Sequence, residues 1–439
     1  MAKRILLLNP PIYDFTAYDF WLKPLGLLSI AGLLRGRADL TLFDYLDRQA
    51  PSAGHCQSDE FSRGKFRSIP IDKPEVFADI PRYYHRFGIA RSVFQEFLAE
   101  NADFDFVLIQ SVMTYWYPGL QEVIEDIRKL SPRSKIVIGG PYAFICKSHA
   151  ESLGADLVIQ GTDLRRLWRL LDIIPQRYQS PFWEGYANLQ SAAIKLTRGC
   201  PFECTYCSVP RLYPEFVPRS PMNCGSDIDL LVEMGVRNIA FYDDSLLYHP
   251  KRILIPFLQY IIQKQIKANF HTPNALHCRF ITAELAELMV QTGFKTFYLG
   301  FESSSEKFQT QTGGKVSSKD LTEAVGHLLS AGAQAKNITA YHLLGHPQTD
   351  IQQLEESMAF ANSLGVRVML SDFSPIPGTP DGDCCRELVD LSEPLTHNKT
   401  YFPIILLGNE SVNRLKNLCR DLNDRLDFPE EENSYQLFQ

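Results

Sequence analysis

Short apolar runs that close on glycine, proline, asparagine or aspartate recur along most of this 439-residue chain, each followed by a helical stretch. Residues 4–8 close on Asn9-Pro10-Pro11. The series continues with residues 39–44, residues 106–110 closing on Ser111, residues 135–138 closing on Gly139-Gly140, and residues 157–160 closing on Gly161. Continuous apolar runs of this kind read as strands buried on both faces, which is the signature of a parallel sheet. Helical spacing at residues 26–34 and 120–130 supplies the crossovers that parallel strands need. The alternation predicts an α/β domain over residues 1–163, doubly wound and flavodoxin-like, with ligand-binding loops at the carboxyl ends of its strands. Residues 49–100 interrupt it with Pro51, Pro70, Pro74 and Pro81 and are read as an insertion packing over one end of the sheet. Residues 164–192 read as a helix and a connector, with Pro175 and Pro181 as breakers.

A second series follows. Strands are expected at residues 193–197, 238–242, 268–272, 296–300, 338–344 and 366–372, with helices at 227–234, 283–292, 319–331 and 351–364 between them. Successive strand–helix units over residues 193–385 predict a partial (β/α)6 barrel of the TIM type, with its site at the carboxyl ends of the strands. A C-terminal extension, residues 386–439, carries one helix at 411–425 and then an acidic, polar end. The length agrees with two or three units at roughly 100–200 residues each.

The net charge of −7, from 44 basic and 51 acidic residues, leaves no electrostatic footprint for nucleic acid. The apolar run at residues 5–8 is too short for a signal-peptide core. No stretch approaches the roughly 18 apolar residues of a membrane span. The expected location is the cytoplasm, where thiols stay reduced. Ten cysteines there raise the question of metal before that of disulfides.

Three of those cysteines are spaced for metal. Arg198-Gly199-Cys200-Pro201-Phe202-Glu203-Cys204-Thr205-Tyr206-Cys207 follows the first strand of the second series. Thiolates at C-x3-C-x2-C spacing can hold three corners of a cubane from one loop and leave one iron open. A structural zinc site would want a fourth protein ligand, and none follows at short range; the next cysteine is Cys224.

This triplet, with an aromatic before its last cysteine, resembles the radical S-adenosylmethionine (radical SAM) superfamily. The resemblance implies a 4Fe-4S cluster whose open iron binds the methionine end of S-adenosylmethionine, and reductive cleavage of that nucleotide to a 5′-deoxyadenosyl radical. Asp243 and Asp244 end the second strand and match the position of a motif contacting the methionine amino group. Leu299-Gly300-Phe301-Glu302-Ser303 is similar to the G-x-E-S motif of the cobalamin-associated branch. Tyr341-His342-Leu343-Leu344-Gly345-His346-Pro347 resembles the strand-to-glycine segment supporting the adenine, and Ser374-Pro375-Ile376-Pro377-Gly378-Thr379-Pro380 the ending of the sixth strand. Arg279, after the third strand, is a candidate for the ribose or the methionine carboxylate; a solvated loop arginine is the alternative. His271, Tyr341 and His342 either face the barrel mouth or are hydrogen-bonded core residues.

The first domain resembles the cobalamin-binding domain that precedes the radical core in one branch, through Asn9-Pro10-Pro11, Pro24-Leu25-Gly26-Leu27, Ser111 and Gly139-Gly140. Together the two resemblances cover residues 1 to about 380. No D-x-H-x-x-G motif is present, so no histidine is offered to the lower face of cobalt; His55 and His85 lie in the insertion. Gly161-Thr162-Asp163 stands where relatives have Gly-Glu. Met113-Thr114-Tyr115-Trp116-Tyr117 puts three large aromatics on the loop after the third strand, either to stack beside a corrin or to fill the space of a lost one.

The function expected from these resemblances is radical SAM chemistry on an unidentified substrate, with an external electron donor such as flavodoxin or ferredoxin. Cobalamin-dependent methyl transfer is one outcome; cobalamin-independent rearrangement, cyclisation or oxidation is another. An iron–sulfur or cobalamin sensor without turnover is the alternative of a different class.

Overall fold

The computed structural model describes residues 2–426 except His55, Ala102 and Lys315. His55 and the acidic end of the tail therefore lie outside the described residues. The chain divides into two compact units. Among the described residues, the first comprises 2–190 and 392–396, and the second 191–391 and 397–426.

The first unit is built on a parallel five-stranded sheet. Its strands are β1 (Lys3–Asn9), β2 (Ala38–Asp44), β3 (Phe106–Gln110), β4 (Lys135–Gly139) and β5 (Leu157–Val158), in the order β5-β4-β3-β1-β2. Side chains alternate across a strand, so each apolar run feeds two cores. Leu6, Leu8, Val107, Ile109, Ile136 and Ile138 face one way. They meet helix Tyr117–Leu130, whose Leu120, Val123, Ile124 and Ile127 form a single helical stripe, and Phe94 and Leu98 of helix Arg91–Glu100. Ile5, Leu7, Phe106, Leu108 and Val137 face the other way, against helix Leu25–Leu34 and Leu167 and Leu171 of helix Arg165–Leu171.

Two expectations are refined here. Helix Arg165–Leu171, read as a helix ahead of the connector and outside the first domain, packs on the sheet. Helix Arg91–Glu100, read as part of the insertion, is one of the sheet's covering helices. The remaining insertion adds an antiparallel ladder of Ile12–Asp14, Tyr84–Phe87 and Ser68–Ile71. Ile12 follows β1 and Leu46 follows β2, and both pack with Phe66 and Phe87. The insertion thus covers the carboxyl end of the sheet. A buried two-toothed ion pair ties it down: Arg86 Nη2 and Nε lie 2.7 and 2.8 Å from the Glu122 carboxylate of helix Tyr117–Leu130.

The second unit is a parallel six-stranded sheet with its strands in chain order: β6 (Ser191–Ile194), β7 (Asn238–Phe241), β8 (Asn269–His277), β9 (Phe294–Glu302), β10 (Ile338–Leu344) and β11 (Arg367–Asp372). Consecutive strands pair and helices intervene, which is the architecture of a partial barrel. Helix starts are set by ordinary capping: Ser317 and Asp320 form a reciprocal capping box, and Thr282 and Asp350 accept from backbone at their helix starts. The tail contributes helices Tyr401–Leu407 and Asn409–Asp424. The second lies along β11, where the Asn423 amide accepts from Val368 N and donates to Val368 O, both at 2.9 Å. No helix among the described residues is long and apolar enough to cross a membrane.

Candidate functional site: a cysteine loop at the mouth of the partial barrel

The cysteine loop leaves β6 and is pinched at its base. Thr197–Arg198 pairs antiparallel with Val217–Pro218, enclosing residues 199–216. Gly199 is obligatory there: it adopts φ +80°, and a Cβ would stand 2.5 Å from the Glu215 carbonyl oxygen. Cys200, Cys204 and Cys207 are half-buried thiols in no disulfide. Cys207 N donates to Cys204 O at 3.0 Å, which closes the turn between two of them. Phe202 packs on His277 at the end of β8, with ring centres 4.6 Å apart. Soft thiol donors on one loop at the carboxyl end of a barrel fit an iron–sulfur cluster. Among the described residues no three His, Cys, Asp or Glu side chains converge on a single metal ion.

The two acids after β7 divide their work. Asp243 is fully buried and accepts from Leu196 N, Thr197 N and Thr197 Oγ1 at 2.6–2.9 Å. Through these bonds, all on Oδ1, it ties the strand end to the root of the cysteine loop. Asp244 stays partly accessible beside Lys195, at 3.5 Å. Burial, opposed by the Thr197 hydroxyl and Lys195, pushes the Asp243 carboxyl from 3.8 up to about 6. A carboxyl raised on folding favours the folded state most below its unfolded pKa, and this contribution is lost as pH rises through the folded value. Unfolding free energy of the apo protein should therefore fall between about pH 4 and pH 6.5 by an amount on the order of 3 kcal/mol from this group. Asp243→Asn should flatten that part of a denaturation-versus-pH profile; an unchanged slope would refute the assignment.

Glu302 ends β9 in the left-handed region at φ +65°, an unfavourable conformation for a residue with a side chain, and it is buried. Its charge lies near Tyr206: burial, then Glu302 and Cys204, raise the Tyr206 hydroxyl well above its usual value. Gln309 Nε2 donates to the Phe301 and Ser303 carbonyl oxygens, holding this bend. Ser303 is buried, and its hydroxyl accepts from Ser305 N at 3.1 Å. Arg279 is exposed and donates to Gly314 O at 3.0 Å. A Cβ on Gly345 would stand 2.7 Å from Pro403 of the tail, so this position is set by packing against helix Tyr401–Leu407.

His271 and His342 are core residues. His271 lies 3.1 Å from Thr296 Oγ1, and both ring nitrogens of His342 face backbone carbonyls. Burial, opposed by those carbonyls, depresses His342 to about 4. Sequence reading passed over His346, Asp381 and Thr205 as individuals. The structure joins them: His346 Nε2 and Thr205 Oγ1 both reach Asp381 Oδ2, at 2.8 and 2.5 Å. Burial opposes the Asp381 charge, but these two hydrogen bonds hold its carboxyl below the usual value.

In the first unit Ser111, Gly139 and Gly140 do come together. Ser111 Oγ donates to Gly139 O at 2.9 Å, and a Cβ on Gly140, at φ +113°, would stand 2.0 Å from Ser111 O. Ser111 is buried, whereas Gly140 is exposed at the end of β4. A narrow cleft lies at the crevice between β1 and β3, where the strand order reverses. It measures about 20 Å³ and is lined among others by Pro11, Leu22, Lys23, Gln110 and Trp116. That is room for about one water. Trp116 donates to Asp14 Oδ2 at 2.9 Å and Tyr115 is buried, leaving Met113 exposed on that loop.

Residues 194–361 match the family model of the radical SAM superfamily. An uncharacterized methyltransferase of Synechocystis is 24% identical over 48% of this chain and 44% of its own length. The anaerobic magnesium-protoporphyrin IX monomethyl ester cyclase of the same organism is 24% identical over 69% of this chain and 62% of its own. The chain thus spans less than two thirds of these relatives. Among solved structures, the radical SAM methyltransferase TsrM from Kitasatospora setae, with cobalamin and a [4Fe-4S] cluster bound, aligns over 95% of this chain and 91% of its own. That alignment has a TM-score of 0.68 at 13% identity. OxsB, a cobalamin-dependent S-adenosylmethionine radical enzyme, aligns over 96% of this chain and 61% of its own, with a TM-score of 0.57 at 12% identity. At these identities the likeness is one of fold. Cysteine loop, partial barrel and family match agree on one segment: residues 194–361 form a domain similar to that of the radical SAM superfamily.

Proposed function

We propose that this chain is a cobalamin-dependent radical SAM methyltransferase acting on a substrate still to be identified. One observation carries the reading: the cysteine loop of a radical SAM barrel shares its chain with a doubly wound unit whose strand order places β1 and β3 side by side at a switch point. The cluster, once bound by Cys200, Cys204 and Cys207, supplies the electron that cleaves S-adenosylmethionine. Around it we assign Asp244 to the methionine amino group, as the more accessible of the two acids. Glu302, Ser303 and the backbone at Gly345 are assigned to the nucleotide. Arg279 is kept as a nucleotide contact only if it gives up Gly314. The electron comes from an external flavodoxin or ferredoxin, and the setting is cytoplasmic. The TsrM and OxsB structures hold cobalamin, which supports a corrin here. Gly139-Gly140 is the candidate contact for its nucleotide tail, and no histidine is assigned to the lower face of cobalt.

The small size of the cleft at the switch point, about 20 Å³, favours a second reading, in which the domain has lost its corrin and the radical acts without cobalamin. Anaerobic holoprotein decides between them. With dithionite and S-adenosylmethionine, formation of 5′-deoxyadenosine or S-adenosylhomocysteine is expected. Added hydroxocobalamin should give a base-off visible spectrum. A base-on spectrum refutes the ligation scheme. No binding by folded protein that still cleaves the nucleotide selects the cobalamin-independent reading.

A further inference from the structure

We propose that Asp381, braced by His346, is the positioning residue that fixes the conformation of the cysteine loop by gripping Thr205. The inference rests on reading Cys200, Cys204 and Cys207 as cluster ligands.

Thr205 lies between two of the three cysteines and is held at each of its polar atoms. Its N donates to Thr312 O at 3.3 Å, its carbonyl accepts from Asp381 N at 3.2 Å, and its hydroxyl donates to Asp381 Oδ2 at 2.5 Å. One residue therefore grips Thr205 through backbone and side chain together. Asp381 is itself constrained. It sits in the turn Pro380–Asp383, where the Thr379 hydroxyl accepts from Gly382 N at 3.1 Å. Its carboxylate also accepts from His346 Nε2 at 2.8 Å.

The state of His346 follows from its other nitrogen. Gln348 N donates to Nδ1 at 3.1 Å. Nδ1 therefore offers a lone pair, and the proton of the neutral ring resides on Nε2, aimed at Asp381. The ring is fully buried, with Phe308 and Phe373 edge-on at 5.1 and 5.2 Å. It cannot turn without displacing them. The clasp thus joins three separate segments: the cysteine loop, the turn after β10 and the turn after β11. Residues 176 and 35 positions apart in sequence meet on one carboxylate oxygen. Partners hydrogen-bonded directly to metal ligands are worth about 10–100-fold in affinity; the clasp acts one residue further out, through Thr205, so the low end of that range is expected.

The test uses anaerobically reconstituted full-length protein, with iron counted first. Iron release to a chelator and the electron paramagnetic resonance of the reduced cluster, with and without S-adenosylmethionine, are then recorded. Asp381→Ala should release iron about tenfold faster and alter the spectrum. Asp381→Asn keeps an acceptor for both the Thr205 hydroxyl and His346 Nε2–H, so it should stay within about threefold of wild type, as expected of a grip made by geometry. Wild-type release and spectrum in Asp381→Ala overturn the proposal. If Asp381→Ala does not fold, Thr205→Val removes only the hydroxyl link: faster release supports the proposal and a wild-type rate overturns it. Wild type that never holds about four irons refutes the cluster reading itself, a different failure from loss of the clasp.

Discussion

Alanine at Cys200, Cys204 and Cys207 together should reduce the iron of reconstituted protein from about four atoms per chain to essentially none, and nucleotide cleavage with it. The effect is large because the thiolates are the attachment itself. The fold should survive. The three side chains are half-buried on a loop outside the sheet, so the apo variant should unfold within about 0.5 kcal/mol of apo wild type. Circular dichroism and a denaturation midpoint check that control. A triple variant that keeps its cluster would move the ligands to other cysteines, with Cys224 and Cys278 the first to test, and would sink the assignment.

The second large effect concerns stability. Arg86 and Glu122 are 5% and 4% exposed and joined by two hydrogen bonds; Arg86 also donates to Ile89 O, and Tyr13 donates to Glu122 at 2.6 Å. Removing only the arginine leaves a buried carboxylate with one neutral donor. Breaking such a pair costs about 3–5 kcal/mol, because the remaining charge is uncompensated. For a unit of this size that corresponds to a fall of roughly 6–20 °C in its melting transition. Arg86→Ala measured by scanning calorimetry should show it. The double variant Arg86→Met/Glu122→Leu should recover most of the loss, since no buried charge is left behind. Equal damage from single and double variants would mean that lost packing, not the orphaned charge, is the cause.

What could be read in advance follows from the range of the interactions. Runs such as residues 4–8 and 338–344 are predominantly apolar, so composition alone marks them as parallel strands; the structure has the first one residue longer at each end and the second as read, whereas the strand read at 268–272 extends to His277. The cysteine spacing is local and was equally legible. Helix Arg165–Leu171 was legible as a helix but not as part of the first unit: that Leu167 and Leu171 cover the face of Leu7 and Val137 is plain only once the sheet is known. The division between Asp243 and Asp244 was unreadable for the same reason. Both are aspartates after a strand, and only the fold shows which one the Leu196 and Thr197 amides claim. The clasp on Thr205 was hidden more deeply still, because barrel topology and no local pattern brings Asp381 to it.

The helix along β11 has a consequence of another kind. An unclosed sheet presents a ladder of unpaired peptide groups at its edge, and any extended chain can continue it. The Asn423 carboxamide has the donor and acceptor of a peptide bond, and it spends both on Val368. At that rung it stands where the backbone of a seventh strand would. At Val368 the tail thereby takes up the peptide group that an added strand would need.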